Sequence, residues 1–321
     1  MKALIFNGKL TFVTNMPIPE PPKDEALIKI LMVGICNTDI EITKGYMNFQ
    51  GIPGHEFVGI VENVNNADKS WIGKRVVGDI NCACGNDNCE YCIKNLGRHC
   101  PNRTTLGISE RNGCFAEYIT LPINNLLEVP QKITDEIATL TEPLAAGFEI
   151  LEQINITKKH EVLIVGDGKL GLLINHALST TSAKITHVGK HKEKLDIALK
   201  NGSKTVLLNQ MPDKLFDVVV EVTGSMSGFE FSLKHTKPRG TLILKSTIAA
   251  NQKIDLTPVV VNEISVIGSR CGLFKPALNY IEQNPNPLSE FIEAVYPAEN
   301  ALSAFEHAKR RGSMKVLIDF R

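Results

Sequence analysis

No apolar run in this chain approaches the roughly 20 residues that a membrane-spanning helix needs, and that excludes a helical membrane protein as the reading of the sequence. Excess charge is absent too. Lys plus Arg and Asp plus Glu both number 35, so nothing in the balance favours a nucleic acid or another polyanion as partner. Internal repeats and low-complexity segments are missing. The opening MKALIFNGKL is too short and too interrupted for a signal peptide and reads as a strand. These absences leave a soluble, cytoplasmic protein as the expectation. Its 321 residues are enough for two domains with separate cores.

Cysteine is present but unevenly placed. Five of the eight fall between Cys82 and Cys100, a clustering that favours a metal site in a reducing compartment over disulfides. Cys89-x-x-Cys92, then seven residues and Cys100, is a strong thiolate signal in the segment NCACGNDNCEYCIKNLGRHCP. Four thiolates around zinc form a closed tetrahedral site that holds a loop with almost no core. Cys114 and Cys271 read as ordinary buried cysteines.

A second set lies upstream. Gly34 to Val61 reads GICNTDIEITKGYMNFQGIPGHEFVGIV and carries Cys36, Thr38, Asp39, His55 and Glu56. Thiolate sulfur and imidazole nitrogen suit zinc; the plainer alternative is a buried cysteine and an unrelated surface histidine. Around this stretch the pattern is all-β, with strands at Ala26–Met32, Phe57–Val64, Arg75–Ile80 and Cys114–Leu121. Met16 to Lys23, with four prolines, is a connection.

The second half changes character. Strand Glu161–Val165 runs into Gly166-Asp167-Gly168-Lys169-Leu170-Gly171 and then a helical run, Leu172–Leu178. A G-x-G-x-x-G between strand and helix is the dinucleotide fingerprint, because its glycines let the backbone approach a pyrophosphate at a helix N-terminus. Strands at Lys184–Val188, Thr205–Leu208, Asp217–Val222, Thr241–Leu244 and Ser265–Ile267 alternate with helical stretches, as in a doubly wound parallel sheet. The tail adds a helical stretch, Pro297–Arg310, and a final strand, Lys315–Phe320.

These pieces, in this order, resemble the zinc-containing medium-chain dehydrogenase/reductase superfamily, which includes alcohol, sorbitol and threonine dehydrogenases. The matches are Gly-Ile-Cys-Asn-Thr-Asp (34–39), Gly-His-Glu-Phe-Val-Gly (54–59), the cysteine lobe (84–100), Glu-Pro-Leu-Ala (142–145) and the fingerprint (166–171). The resemblance implies an α/β chain with two domains. One is a GroES-like β-barrel catalytic domain, residues 1–146 with the zinc lobe at 82–101, completed by 271–321. The other, 147–270, is a Rossmann domain with a six-stranded parallel sheet.

The resemblance also implies an activity: hydride transfer between an alcohol or polyol, or the matching aldehyde or ketone, and NAD(P). It assigns a catalytic zinc to Cys36, His55 and Glu142, with Glu56 entering the coordination sphere when water or product leaves. Thr38 becomes the proton relay, and Asp39 the residue that orients His55. Local backbone capping is the alternative for Asp39 and Glu56, and a favourable helix N-terminus is the alternative for Glu142. The structural zinc falls to Cys84, Cys89, Cys92 and Cys100, with Cys82 the rival of Cys84 because the family places its first ligand where this chain has Asn86. A homodimer or homotetramer through the run Ile264–Ile267 is implied as well. Two other classes remain open: a zinc-free quinone reductase of the same superfamily, and a binding protein that kept the fold.

One more absence concerns the cofactor. NAD sites carry an acidic residue roughly 20 positions past the fingerprint, where this chain has Gly189-Lys190-His191. With no carboxylate at Gly189, a charge on Lys190 and a donor on His191, the sequence favours NADP over NAD. A plain glycine turn with dual specificity is the alternative. On this reading, an aspartate placed at Gly189 would move preference to NAD. Thr223, just past strand Asp217–Val222, completes the expected nucleotide contacts.

Overall fold

The computed structural model describes residues 1–247 and 253–321, and the chain divides into two compact units. Met1–Glu142 together with Phe274–Arg321 form one; Pro143–Leu273 form the other. Among the described residues, no helix is long and apolar enough to cross a membrane.

In the first unit a seven-stranded sheet is built around Glu25–Gly34. That strand pairs antiparallel with Glu56–Val64, Tyr118–Pro122 and Lys315–Asp319. Its length follows from composition: Leu27, Ile28 and Ile30 to Val33 make a nearly continuous apolar, β-branched-rich run broken only by Lys29, and most of the ten residues are buried. Lys315–Asp319 also pairs in parallel with Ile292–Pro297, so the tail of the chain is stitched into the sheet that begins near its start. Two expectations change here. The strand expected at Cys114–Leu121 shrinks to Tyr118–Pro122, because Cys114 and Phe115 bend to pack on Gly54. The helix expected at Pro297–Arg310 is Ala301–Ala308, preceded by the strand Ile292–Pro297 that periodicity did not reveal.

The second unit is a six-stranded parallel sheet. Its spatial order is Lys204–Leu207, Lys184–Gly189, Glu161–Val165, Phe216–Glu221, Thr236–Leu244, Ser265–Gly268. Every neighbouring pair is parallel, as a doubly wound sheet requires. The strand order reverses at the edge shared by Glu161–Val165 and Phe216–Glu221, the position where such folds bind ligands. Apolar residues line both faces. Ile150, Ile164, Ile174 and Val220 belong to one cluster, and Leu163, Val219, Phe229 and Leu242 to the other.

Candidate active site and nucleotide turn

Cys36 ends the central strand's connection and starts a short helix, Asn37–Ile42. Asp39, three residues on, turns its Oδ2 back to accept the Cys36 N–H at 2.8 Å, a carboxylate position that fixes the first turn. The other oxygen, Oδ1, lies 3.2 Å from His55 Nδ1. The pair is close enough for charge interaction but not aligned as a hydrogen bond, and neither atom has another hydrogen-bond partner. Asp39 therefore both caps the helix and faces His55, so the two readings of it are not exclusive. Thr38 Oγ1 is 3.7 Å from Cys36 Sγ.

Glu56 opens the next strand, Glu56–Val64, and His55 is the last residue of the loop before it; both are buried. Donor atoms of Cys36, His55 and Glu56 all lie within 4.8 Å of one another. Glu142, in the first turn of helix Thr141–Gln153, is outside that group. It is still coupled to it electrically: burial pushes the Glu142 carboxyl up to about 7, with His55 pulling it down and Glu56 pushing it up. Burial opposes charge on His55, yet the Asp39 carboxylate and the Cys36 sulfur raise it well above its usual range. A soft sulfur, an imidazole and carboxylates crowded together, with His55, Glu56 and Asp39 buried, are the donor set and the charge problem that a zinc ion resolves.

Lys315 is the residue that the sequence did not reveal. Its Nζ donates to Glu56 Oε1 at 2.7 Å and also contacts Oε2. Both side chains are almost wholly buried, 3% and 0% exposed, so Glu56 is held as an ion pair. The room for its carboxylate exists because residue 34 is glycine: a Cβ there would overlap Glu56 Oε2. No local signal marks Lys315, which looks like the polar first residue of an apolar strand.

The cysteine lobe gathers four sulfurs. Cys84 and Cys92 lie 3.7 Å apart, Cys89 and Cys100 3.7 Å, and Cys84 and Cys100 3.5 Å. A tetrahedron with Zn–S near 2.3 Å has edges of about 3.8 Å, so the arrangement fits zinc and is far too open for a disulfide. Cys82 stays apart in strand Asn81–Cys82, with its sulfur 3.9 Å from the Ile80 carbonyl. The lobe has little core of its own; Ile93 is 64% exposed. Without a cation the thiols cannot all ionise. Burial and the Cys89 thiol push Cys92 up to about 12, whereas N–H donation from Cys84 holds Cys100 down to about 7.

At the fingerprint, Gly166 has φ +125° and a Cβ on Gly171 would overlap its carbonyl oxygen, so both positions demand glycine. Gly168 caps helix Lys169–Ser179 and faces open space, which leaves the approach to the helix N-terminus clear. Lys169 begins that helix, whereas Leu170 packs against the core cluster beneath it. Thr223 adjoins Gly166 and is tied to Glu221 through its N–H and hydroxyl, both at 2.6 Å. A buried histidine pins the turn: His187 Nε2 donates to the Gly166 carbonyl at 2.9 Å while Nδ1 faces Asn175. Burial lowers His187 to about 4, so the ring is neutral and can play both parts.

Gly189 closes strand Lys184–Gly189, and Lys190 and His191 follow it. A Cβ on Gly189 would stand 2.5 Å from both Cβ and Oδ2 of Asp167. The side-chain space at Gly189 is already filled by a carboxylate, so an added aspartate would collide with it. Asp167 is the middle residue of the first G-x-G, a position that the glycine pattern leaves unspecified.

Residues 22–131 match the family described as alcohol dehydrogenase GroES-like domain, and 170–283 match zinc-binding dehydrogenase. D-arabinitol dehydrogenase 1 of Uromyces fabae is 28% identical, across 99% of this chain and 97% of that protein. D-arabitol-phosphate dehydrogenase of Enterococcus avium is also 28% identical, across 95% and 92%. Among solved structures, a protein from Sinorhizobium meliloti 1021 described as a "putative zinc-binding dehydrogenase" and bound to NADP superposes with TM-score 0.88 at 25% identity, covering 99% of both chains. The unit around the seven-stranded sheet, the parallel six-stranded unit and these matches agree: this chain belongs to the zinc-containing medium-chain dehydrogenase/reductase superfamily.

Proposed function

We propose that this protein is a zinc-dependent oxidoreductase that moves a hydride between a polyol or related alcohol and a nicotinamide dinucleotide. One observation carries the reading: Cys36, His55 and Glu56 bring unlike metal-donor atoms within 4.8 Å of one another in a chain that also has the glycine turn for a dinucleotide. Relatives named for D-arabinitol and D-arabitol phosphate support the polyol class.

Cys36 and His55 would hold the catalytic zinc, with Glu142 as the third ligand although it lies outside their 4.8 Å group and Glu56 as the carboxylate that joins when water or product leaves; Cys84, Cys89, Cys92 and Cys100 would hold the structural one. When bound, the catalytic ion supplies Lewis-acid polarisation of the substrate oxygen, and the nicotinamide supplies the hydride chemistry. Thr38 would relay the alcohol proton beside Cys36, accepting it at Oγ1 while its own hydroxyl proton passes on to solvent water. Asp39 sets the orientation of His55. Lys315 holds Glu56 ready next to the ligands without letting it compete for the metal at rest.

Metal analysis together with turnover on a panel of alcohols, polyols and their carbonyl products tests this. About two zinc ions per chain are expected, one at each kind of site. Cys36→Ala should lose one zinc and all turnover while keeping the fold. Cys92→Ser should lose the other and mainly reduce stability. Zinc-free protein that still reduces enones or quinones would replace this reading with that of a zinc-free reductase. A single zinc that survives both substitutions would also reject it.

The same reading carries a homodimer or dimer of dimers. Strand Ser265–Gly268 ends the parallel sheet, and Val266 on it is 41% exposed; an open apolar edge is a template for pairing. Light scattering at micromolar concentration should show at least a dimer, and a monomer there would count against the assignment.

A further inference from the structure

A dinucleotide site tells NAD from NADP at the end of its second strand, by what meets the ribose 2′ position. In this chain that strand is Lys184–Gly189, and it ends without an acidic residue. The sheet register supplies one from next door. Val165 pairs with Val188, and the Gly166 N–H donates to the Val188 carbonyl at 2.9 Å. Asp167, one residue past that bond, therefore stands beside Gly189.

Three donors converge on it. Asp167 Oδ2 accepts the Lys190 N–H at 2.6 Å and the His191 N–H at 2.7 Å, and lies 3.0 Å from His191 Nδ1. His191 is the cap of the nine-residue helix Lys192–Lys200, so the carboxylate also sits at the positive end of a helix. Two adjacent backbone N–H groups, an imidazole and a helix N-terminus are the equipment of an anion site. Here the anion is the protein's own. Burial works against the charge, but the two N–H bonds and the His191 ring hold the Asp167 carboxyl below its usual range, so it is ionised at neutral pH.

We infer that Asp167 is a specificity-determining residue that stands in for the missing acid at Gly189 and makes the enzyme prefer NAD over NADP. The inference rests on the dinucleotide reading above. A 2′-phosphate would meet a fixed negative charge and would find both N–H donors already taken. A free 2′-hydroxyl meets neither obstacle and can donate to the carboxylate. The backbone N–H of Lys190, the residue that in the sequence argued for NADP, belongs to Asp167.

The test is equilibrium titration of the zinc-loaded enzyme with NADH and with NADPH, read by the fluorescence of the bound nicotinamide and so independent of turnover. The native protein should bind NADH at least about tenfold more tightly than NADPH. Asp167→Asn keeps the shape and removes the charge; it should move the ratio of the two dissociation constants about tenfold or more toward NADPH. Asp167→Ser, which also vacates the space, should move it the same way, and more so at low ionic strength. Native preference for NADPH overturns the inference. So does a ratio that neither variant changes while both still bind NADH. If the native protein binds neither nucleotide, the dinucleotide reading itself is overturned, an outcome distinct from the other two.

Discussion

Replacing Thr38 by alanine is expected to slow hydride transfer by about 10²–10⁴-fold, the usual contribution of a positioned proton-transfer group. The hydroxyl lies 3.7 Å from the sulfur of Cys36, one of the proposed zinc ligands. Its loss leaves the alcohol proton without a first acceptor. The dinucleotide turn is built from other residues, so NADH affinity should not follow the rate. Thr38→Ser keeps the hydroxyl and should recover most of the activity. Single-turnover oxidation of the preferred alcohol separates these effects from product release. An undiminished rate constant in Thr38→Ala would remove Thr38 from the mechanism.

Replacing Lys315 by methionine is expected to destabilise the first unit by about 3–5 kcal/mol, because it strands a buried carboxylate. Glu56 is fully buried and Lys315 is its ion-pair partner at 2.7 Å. That loss is a large share of the roughly 5–15 kcal/mol by which a typical domain is stable. Removing both charges should cost much less, since the expense lies in the unpaired ion and not in the absence of the pair. Urea unfolding of Lys315→Met and of the double variant Glu56→Gln/Lys315→Met measures both. A single variant within about 1 kcal/mol of native, or a double variant worse than the single, would show that the ion pair does not carry this stability.

Local chemistry in the sequence was enough for much of this protein. Strand–glycine–helix punctuation located the nucleotide turn, and alternation of apolar strands with helical stretches gave a parallel sheet of six strands, found in that number and order type. Residue type and spacing set apart two groups of metal donors. The sulfurs of Cys84, Cys89, Cys92 and Cys100 do converge, and so do Cys36, His55 and Glu56. Such signals survive in one dimension because a fingerprint turn or a C-x-x-C loop is shaped by residues a few positions apart.

What the tertiary structure decided lies across long separations or in occupied volume. Lys315 reaches Glu56 only because the last strand pairs beside the central one; nothing near position 315 announces a partner 259 residues away. The sequence suggested Cys84 over Cys82 through a comparison of spacings, whereas the fold separates them by turning Cys82 into a strand and Cys84 into the lobe. Gly189 looked like a missing carboxylate. The neighbouring strand had already put Asp167 into the space. A glycine records that a side chain is absent at its own position; which atom fills the space is settled by sheet register and packing, and those exist only once the chain has folded.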